Sequence, residues 1–249
     1  MTAAGPPVIG RRGVVLTGAE GSGSTGPELA GAAAGLEAAG VDAIWSADHL
    51  LWPEPVLDAV AATAVVAGAT SRVAVGPGVV QLPLRGWATV ARGLAFADSI
   101  APGRIVCGVG AGERPEEYEA AGVPFVGRGR ALDAGIAALR AAWPVGCGRP
   151  TPAPQVWVGG RGPRARRRVV ELGDGWMPHL CPAGWLRRTN AELDRAAEEA
   201  GRDPGSVGRA VVVAVGVDGV GPRDPAVQLG AYYGLDPRAF GRVLVRGSA

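Results

Sequence analysis

Short apolar runs alternate with longer, mostly amphipathic stretches along the whole chain. Gly13–Leu16, Ala43–Ser46, Val73–Gly76, Ile105–Val109, Gln155–Gly159, Gly175–Met177 and Val211–Val217 read as buried strands. Between them the pattern predicts helices. Thr25 can cap a helix that has Pro27 at its first position, runs to Ala39 and is closed by Gly40. Val56–Thr70 and Trp87–Ser99 follow, separated by a third strand and a long loop over Pro77–Gly86. Arg128–Trp143 sets Leu132, Ile136 and Leu139 on one face. An arginine-rich helix begins at Pro163, and Ala183–Ala200 is broken by Gly201 and Pro204. The tail, Ala226–Val245, reads as a helix around Tyr232 and Tyr233. Strands alternating with helices make βα units and a parallel sheet. Seven units in 249 residues predict a TIM-barrel-like (β/α)8 fold rather than a doubly wound sheet. No eighth strand is read, so the expected barrel is shortened, with an edge left open or closed by a partner. No linker divides the chain, and residues 1–249 are expected to be one domain.

The fourth strand ends in three alternate glycines, Gly108, Gly110 and Gly112, followed by Glu113, a helix start at Pro115, and the acids Glu116, Glu117 and Glu119. Glycines at a strand end let a flat ligand or another backbone approach closely, and a carboxyl at a pocket edge can be tuned for proton transfer. The same residues also describe a tight turn followed by solvated acids. Composition narrows the field. Apolar residues make up 47% of the chain but aromatics only 5%, so Ala, Val, Leu and Gly are left to carry most of the packing. A net charge of +2 gives no footprint for nucleic acid. Cys107, Cys147 and Cys181 form no C-x-x-C and no metal-ligand spacing, which suits a reducing cytoplasm. With no apolar run of membrane-spanning length and no leader pattern, a cytoplasmic protein without a membrane partner is expected.

In a barrel of this kind the site lies at the C-terminal ends of the strands. Ser46, Asp48 and His49 follow the second strand there, and Pro77 to Gln81 follow the third. Ala111, Gly112 and Glu113 follow the fourth, Gly159, Gly160 and Arg161 the fifth, Trp176 and His179 the sixth. His49 beside Asp48 is either structural or a proton-handling group. Gly159-Gly160-Arg161-Gly162 leading into a helix suits a phosphate, or is a glycine turn before a solvated basic face formed by Arg166, Arg167 and Arg168. Trp176 reads as core or pocket wall. Gly21-Ser22-Gly23-Ser24-Thr25-Gly26 matches the dinucleotide-binding G-x-G-x-x-G, but it begins some residues after the strand, whereas the motif needs its turn directly at the strand end.

The segments GVDAIWSADHL (40–50), VAVGPGVVQLPLRGWATVARGLAFADSIAPGRIVCGVGAGERPEEYEAAGVPFVGRGRALD (73–133) and PQVWVGGRGPRARRRVVELGDGWMP (154–178) resemble the bacterial luciferase-like oxidoreductases, and among them the enzymes dependent on coenzyme F420. The resemblance implies a flat deazaflavin, or alternatively FMN, lying across the strand ends. It puts Asp48 and His49 beside the ring, with His49 as acid or base. Pro77, Gly78, Val79 and Val80 fall on a bulge behind the ring, with a non-proline cis peptide expected just before Gly78. Ala111, Gly112 and Glu113 fall on the ring-contact turn, with Glu113 as a possible proton donor. Gly159 and Gly160 match the backbone amides that hold the cofactor's phosphate in the family; Arg161, from its charge, and Trp176, as pocket wall, are expected to complete the cofactor-binding set. The chain has only PVGCGRPTPA (144–153) where the family carries a longer substrate-covering hairpin, so an open pocket is expected. The implied activity is hydride transfer between the deazaflavin C5 and a small organic substrate, in a homodimer. An FMN-dependent monooxygenase, a non-catalytic flavin- or partner-binding homologue, and an NAD(P) enzyme using Gly21–Gly26 are the competing possibilities.

Overall fold

A computed structural model describes residues 12–17, 25–52, 55–143, 153–217 and 224–248. Its elements run β1 (Gly13–Leu16), α1 (Gly26–Ala38), β2 (Ala43–Ser46), α2 (Ala59–Ala69), β3 (Ala74–Pro77), β4 (Val80–Gln81), α3 (Leu82–Arg85) and α4 (Trp87–Ile100). They continue with β5 (Val106–Gly110), α5 (Pro115–Ala120), α6 (Arg128–Ala142), β6 (Gln155–Gly159), α7 (Pro163–Leu172), β7 (Gly175–Met177) and α8 (Ala183–Glu199). Last come β8 (Gly208–Arg209), β9 (Ala214–Val217), α9 (Pro225–Tyr233) and β10 (Leu244–Gly247). The loop expected over Pro77–Gly86 holds β4 and the single turn α3 instead. The first part of the G-x-G-x-x-G stretch and most of the shortened hairpin region lie outside the described residues.

Every ladder is parallel. One sheet runs β1-β2-β3 and another β4-β5-β6-β7-β8. A bridge between Val75 and Ile105 joins the two, and one between His179 and Val212 carries the pairing on past β7. The C-terminal ends of these strands therefore all open on one side, as a βα-barrel requires.

Side chains alternate between two apolar layers, as strand geometry dictates. Ile44, Val75, Cys107, Val109, Val156, Val158 and Trp176 pack outward with the helices. Ala43, Trp45, Ala74, Val106, Trp157 and Met177 form a separate cluster, the barrel interior. Few aromatics are available, and two of them fill that interior: the Trp45 and Trp157 rings lie 6.2 Å apart. They fit because their neighbours lack side chains. A Cβ on Gly175 or Gly208 would come within 2.4 or 2.5 Å of Trp157. The interior is a large-against-small packing, and several of the chain's glycines are spent there rather than in turns.

The tail departs from expectation. The helix stops at Gly234, whose left-handed φ of 63° caps it. Asp236 then caps a turn at Pro237–Phe240, and Leu244–Gly247 pairs in parallel with β9. An eighth-position strand therefore exists after all. Among the described residues it pairs with β9, and no ladder joins it to β1.

Candidate functional site

The site is assembled from the loop after β2, the β4-α3 turn, and α5. Asp48 is buried, and its carboxylate accepts the backbone N–H of Gln81 at 2.9 Å and Nε of Arg85 at 3.3 Å. Arg85 also pairs with Asp58, the residue that caps α2. Asp48 thus ties three elements together and is committed to structure, beside the pocket rather than open to it.

His49 is held differently. Its Nδ1 lies 3.2 Å from both carboxylate oxygens of Glu117, a fully buried side chain of α5. The same carboxylate accepts the backbone N–H groups of Leu50 at 2.6 Å and Leu51 at 3.2 Å. Gln81 donates from Nε2 to both carboxylate oxygens, at 3.1 and 3.2 Å, and to the Asp48 carbonyl at 3.1 Å. Burial alone would raise the Glu117 pKa. Gln81, the Leu51 N–H, His49 and the Leu50 N–H outweigh burial and hold it below the ordinary carboxylate value. Glu117 is therefore an anion in a buried polar knot. The sequence pattern placed it among solvated acids; the structure places it at the centre of the site.

Aromatic rings close over this knot. Trp52 lies 4.0 Å from the His49 ring, centroid to centroid, and Tyr232 of α9 stacks on Trp52 at 3.9 Å. Arg114 sits over Tyr232. The neighbouring Tyr233 places its hydroxyl 3.2 Å from Nε2 of His179. Burial, then the nearby Arg161, lowers the His179 pKa, with Glu113 acting in the opposite sense. The shortened hairpin region lies outside the described residues, so these contacts do not test the expected open pocket. The tyrosines of the C-terminal helix reach from His49 after β2 to His179 after β7.

The bulge after β3 forms the floor. A non-proline cis peptide joins Gly78 to Val79, one residue beyond the position expected from the family resemblance. Pro77 and Val80 are buried, and Gly78 packs on Trp45. The Val79 methyls fill the space beside Gly108, Gly110 and Gly159, where added Cβ atoms would meet them at 3.3, 2.6 and 3.2 Å. Gly112 has a left-handed φ of 69°, and a Cβ there would strike Gln81 at 2.0 Å. Its carbonyl is held by Arg128 and that of Ala111 by the Tyr118 hydroxyl. Glu113 projects from this turn and is exposed, on the side of Tyr232, Tyr233 and His179.

The turn after β6 completes the strand ends. Gly160 has a φ of 106°, which favours glycine. Helix α7 then starts at Gly162 and Pro163 with no side-chain cap; Pro163 has no N–H and those of Ala165 and Arg166 bond the Gly162 carbonyl, so the Arg164 N–H is the one in the first turn left for water or an anion. Arg161 is exposed beside it. Trp176 is fully buried and donates its indole N–H to the Gly160 carbonyl at 2.9 Å. It braces the turn from behind and offers no face to a ligand. Arg166, Arg167 and Arg168 are not a free basic face. Arg166 pairs with Glu192, the other two with Asp133, and Arg168 is buried. A groove of about 620 Å³ between α7 and α8 lies on the outer helical surface, away from the strand ends. Among the described residues no cluster of metal-ligating side chains occurs, and no helix is long and apolar enough to cross a membrane.

The strand ends of this TIM-barrel-like fold thus carry a carboxylate-held imidazole, a glycine-backed turn and an uncapped helix start, on the side where such barrels place their sites. The chain belongs to the luciferase-like monooxygenase family, whose sequence model matches residues 11–219. A phthiodiolone/phenolphthiodiolone dimycocerosates ketoreductase of Mycobacterium tuberculosis is 29% identical over 167 residues, 58% of this chain and 43% of that protein. Matches to such curated relatives span only 57% or less of their length. Among solved structures, an F420-dependent secondary alcohol dehydrogenase in complex with an F420–acetone adduct superposes with a TM-score of 0.73. It is 22% identical, covering 83% of this chain and 69% of that one. The FMN-bound oxygenating constituent of 3,6-diketocamphane monooxygenase from Pseudomonas putida superposes with a TM-score of 0.72 at 17% identity, covering 88% and 70%. Relatives of both cofactor types thus share this fold.

Proposed function

We propose that this protein is a coenzyme F420-dependent oxidoreductase that interconverts a carbonyl and an alcohol on a small organic substrate, as a single-domain homodimer. The observation that carries the proposal is His49. Its imidazole is held by a buried anion at the strand ends, a placement that supports a proton-handling role because hydride chemistry on a C=O group needs a proton partner. The ketoreductase and alcohol dehydrogenase relatives support the same substrate chemistry.

The residues present fit the cofactor. The floor at Gly78 and Val79 is kept flat by glycines whose Cβ atoms would intrude, and the uncapped start of α7 with Gly159, Gly160 and Arg161 suits a phosphate. When bound, the deazaflavin supplies or takes up a hydride at its C5. The chain's own part is to orient reactants over the floor, to exclude water with Trp52 and Tyr232, and to deliver or accept the accompanying proton at His49. Glu113 stands on the rim as a second proton donor.

The family's monooxygenase members and the FMN-bound structure favour a second reading, an FMN-dependent monooxygenase. Titration of the purified protein with F420 and with FMN, followed by hydride-transfer assays on ketones and secondary alcohols, tests the proposal. Turnover with F420 and no oxygen uptake with reduced FMN is expected. Oxygen consumption with reduced FMN would replace the first reading by the second, and binding without turnover of either kind would make the protein a non-catalytic homologue.

A further inference from the structure

The position of Glu117 has a chemical consequence for His49. We infer that Glu117 is the positioning residue that fixes neutral His49 as the Nδ1–H tautomer and so makes Nε2 the atom that exchanges the proton. The inference deepens the oxidoreductase proposal and, for its catalytic meaning, rests on it.

An ionised carboxylate can only accept hydrogen bonds. The nitrogen facing it at 3.2 Å must therefore carry the hydrogen. Gln81 leaves no alternative. Its Nε2 lies between two acceptors, Glu117 and the Asp48 carbonyl, which fixes the amide orientation. A donor already engaged there offers nothing for Nδ1, 3.4 Å away, to accept. With Nδ1 engaged by Glu117, no described residue bonds to Nε2. The ring plane is set by Trp52 on its face and Tyr232 at its edge, 6.1 Å away, and turning the ring over within that plane would withdraw Nδ1 from the carboxylate. In alcohol oxidation the hydroxyl proton passes to the Nε2 lone pair while the hydride leaves carbon. In carbonyl reduction Nε2–H gives its proton to the oxygen as carbon receives the hydride. Glu117 keeps its own charge in both directions and stabilises the imidazolium.

The charged and titratable groups around the ring are Glu117 on α5, Asp48 neutralised by Arg85 of α3, and Tyr232 of α9 with Arg114 beyond it. Glu117 is the single carboxylate in contact with the imidazole among them, so replacing it removes the anion that favours the charged ring.

The experiment uses the full chain without cofactor. The protein has two histidines, so long-range 1H–15N correlation spectra give two imidazole patterns, assigned with His179→Asn. His49 is expected to show a protonated Nδ1 and a bare Nε2 at alkaline pH. The opposite tautomer in the wild-type protein overturns the inference whatever the activity. In Glu117→Gln, whose amide can meet either tautomer, a mixture is expected. With the activity in hand, kcat is expected to fall by up to roughly 10²-fold, within the worth of a positioned acid–base group, with KM little changed. Glu117→Asp should restore part of the rate. A Glu117→Gln enzyme with an unchanged tautomer and an unchanged rate overturns the positioning role. If the tautomer is as stated but His49→Asn turns over normally, the proton-transfer reading of His49 fails instead.

Discussion

A methyl group added at Gly110 is predicted to destabilise the protein in a way that a second substitution, Val79→Ala, partly repairs. Gly110 does not have a left-handed backbone, so its need for glycine is a matter of space alone. A Cβ there would lie 2.6 Å from Cγ2 of Val79, whereas carbon atoms pack at about 3.5–4.0 Å. Val79 must therefore move by roughly 1 Å. It has little freedom to do so, because its methyls also face Gly108 and Gly159 at 3.3 and 3.2 Å from their would-be Cβ atoms, and a β-branched side chain is stiff at χ1. Overpacking of this kind costs about 1–3 kcal/mol. Val79→Ala alone loses about 1 kcal/mol through two partly buried methyls. In the double variant the new methyl occupies part of the vacated space, so the coupling should favour it by about 1 kcal/mol or more. Gly108→Ala supplies the contrast. Its Cβ would strike the backbone carbonyl of Pro77 at 2.2 Å, which Val79→Ala does not relieve, and coupling within about 0.5 kcal/mol of zero is expected. Urea unfolding at constant m-value reads the wild type and all five variants. Additive behaviour for Gly110 and Val79, or equal rescue of both glycine variants, would show that Val79 does not fill the floor as described.

Glu37 accepts the N–H groups of Ser71, Arg72 and Val73. Burial opposes its ionisation, but the N–H groups of Arg72, Ser71 and Val73 together bring its pKa down to about 2. Because the folded value lies below the unfolded one, its contribution is complete above the ordinary value of 4.5 and is lost as pH falls toward 2. Stability measured from pH 6 to pH 2 should thus decline less steeply in Glu37→Gln, and parallel curves would refute the assignment. Glu113→Gln should slow turnover at least about tenfold if Glu113 supplies the proton, and an unchanged kcat assigns that step to His49 alone. Phe96 and Ile100 of α4 are 64% and 42% exposed one helical turn apart, an apolar face suited to a second copy. Sedimentation should show a dimer that Phe96→Glu dissociates, and a wild-type monomer at micromolar concentration would exclude this.

The barrel was legible because its signal is local. Strands alternate between two apolar layers, and the glycine-rich tips after β5 and β6 mark where backbone must come close. The floor at Gly78 and Val79 and the turn at Gly160 followed from resemblance, then from position. The tail differs although its punctuation is present: Gly234 suits a helix stop and Asp236-Pro237 a fresh start, while Leu244–Gly247, no shorter than β1 or β2 but mostly exposed, lacks the apolar run that announces a strand. The core of the site was hidden for a different reason. Glu117 lies 68 residues from His49, and in Glu116-Glu117-Tyr118-Glu119 the acids look alike until the buried face of a six-residue helix is known. Tyr118, packed against Phe125, is the one local clue, since it marks the inward side that Glu117 shares. A buried carboxylate tolerates such a place only when its donors arrive from elsewhere, here from the loop after β2 and from Gln81. That dependence is reciprocal: without the parallel tips of β2, β4 and β5 side by side the carboxylate would be a costly buried charge, and without the carboxylate the imidazole would have no fixed direction in which to exchange a proton.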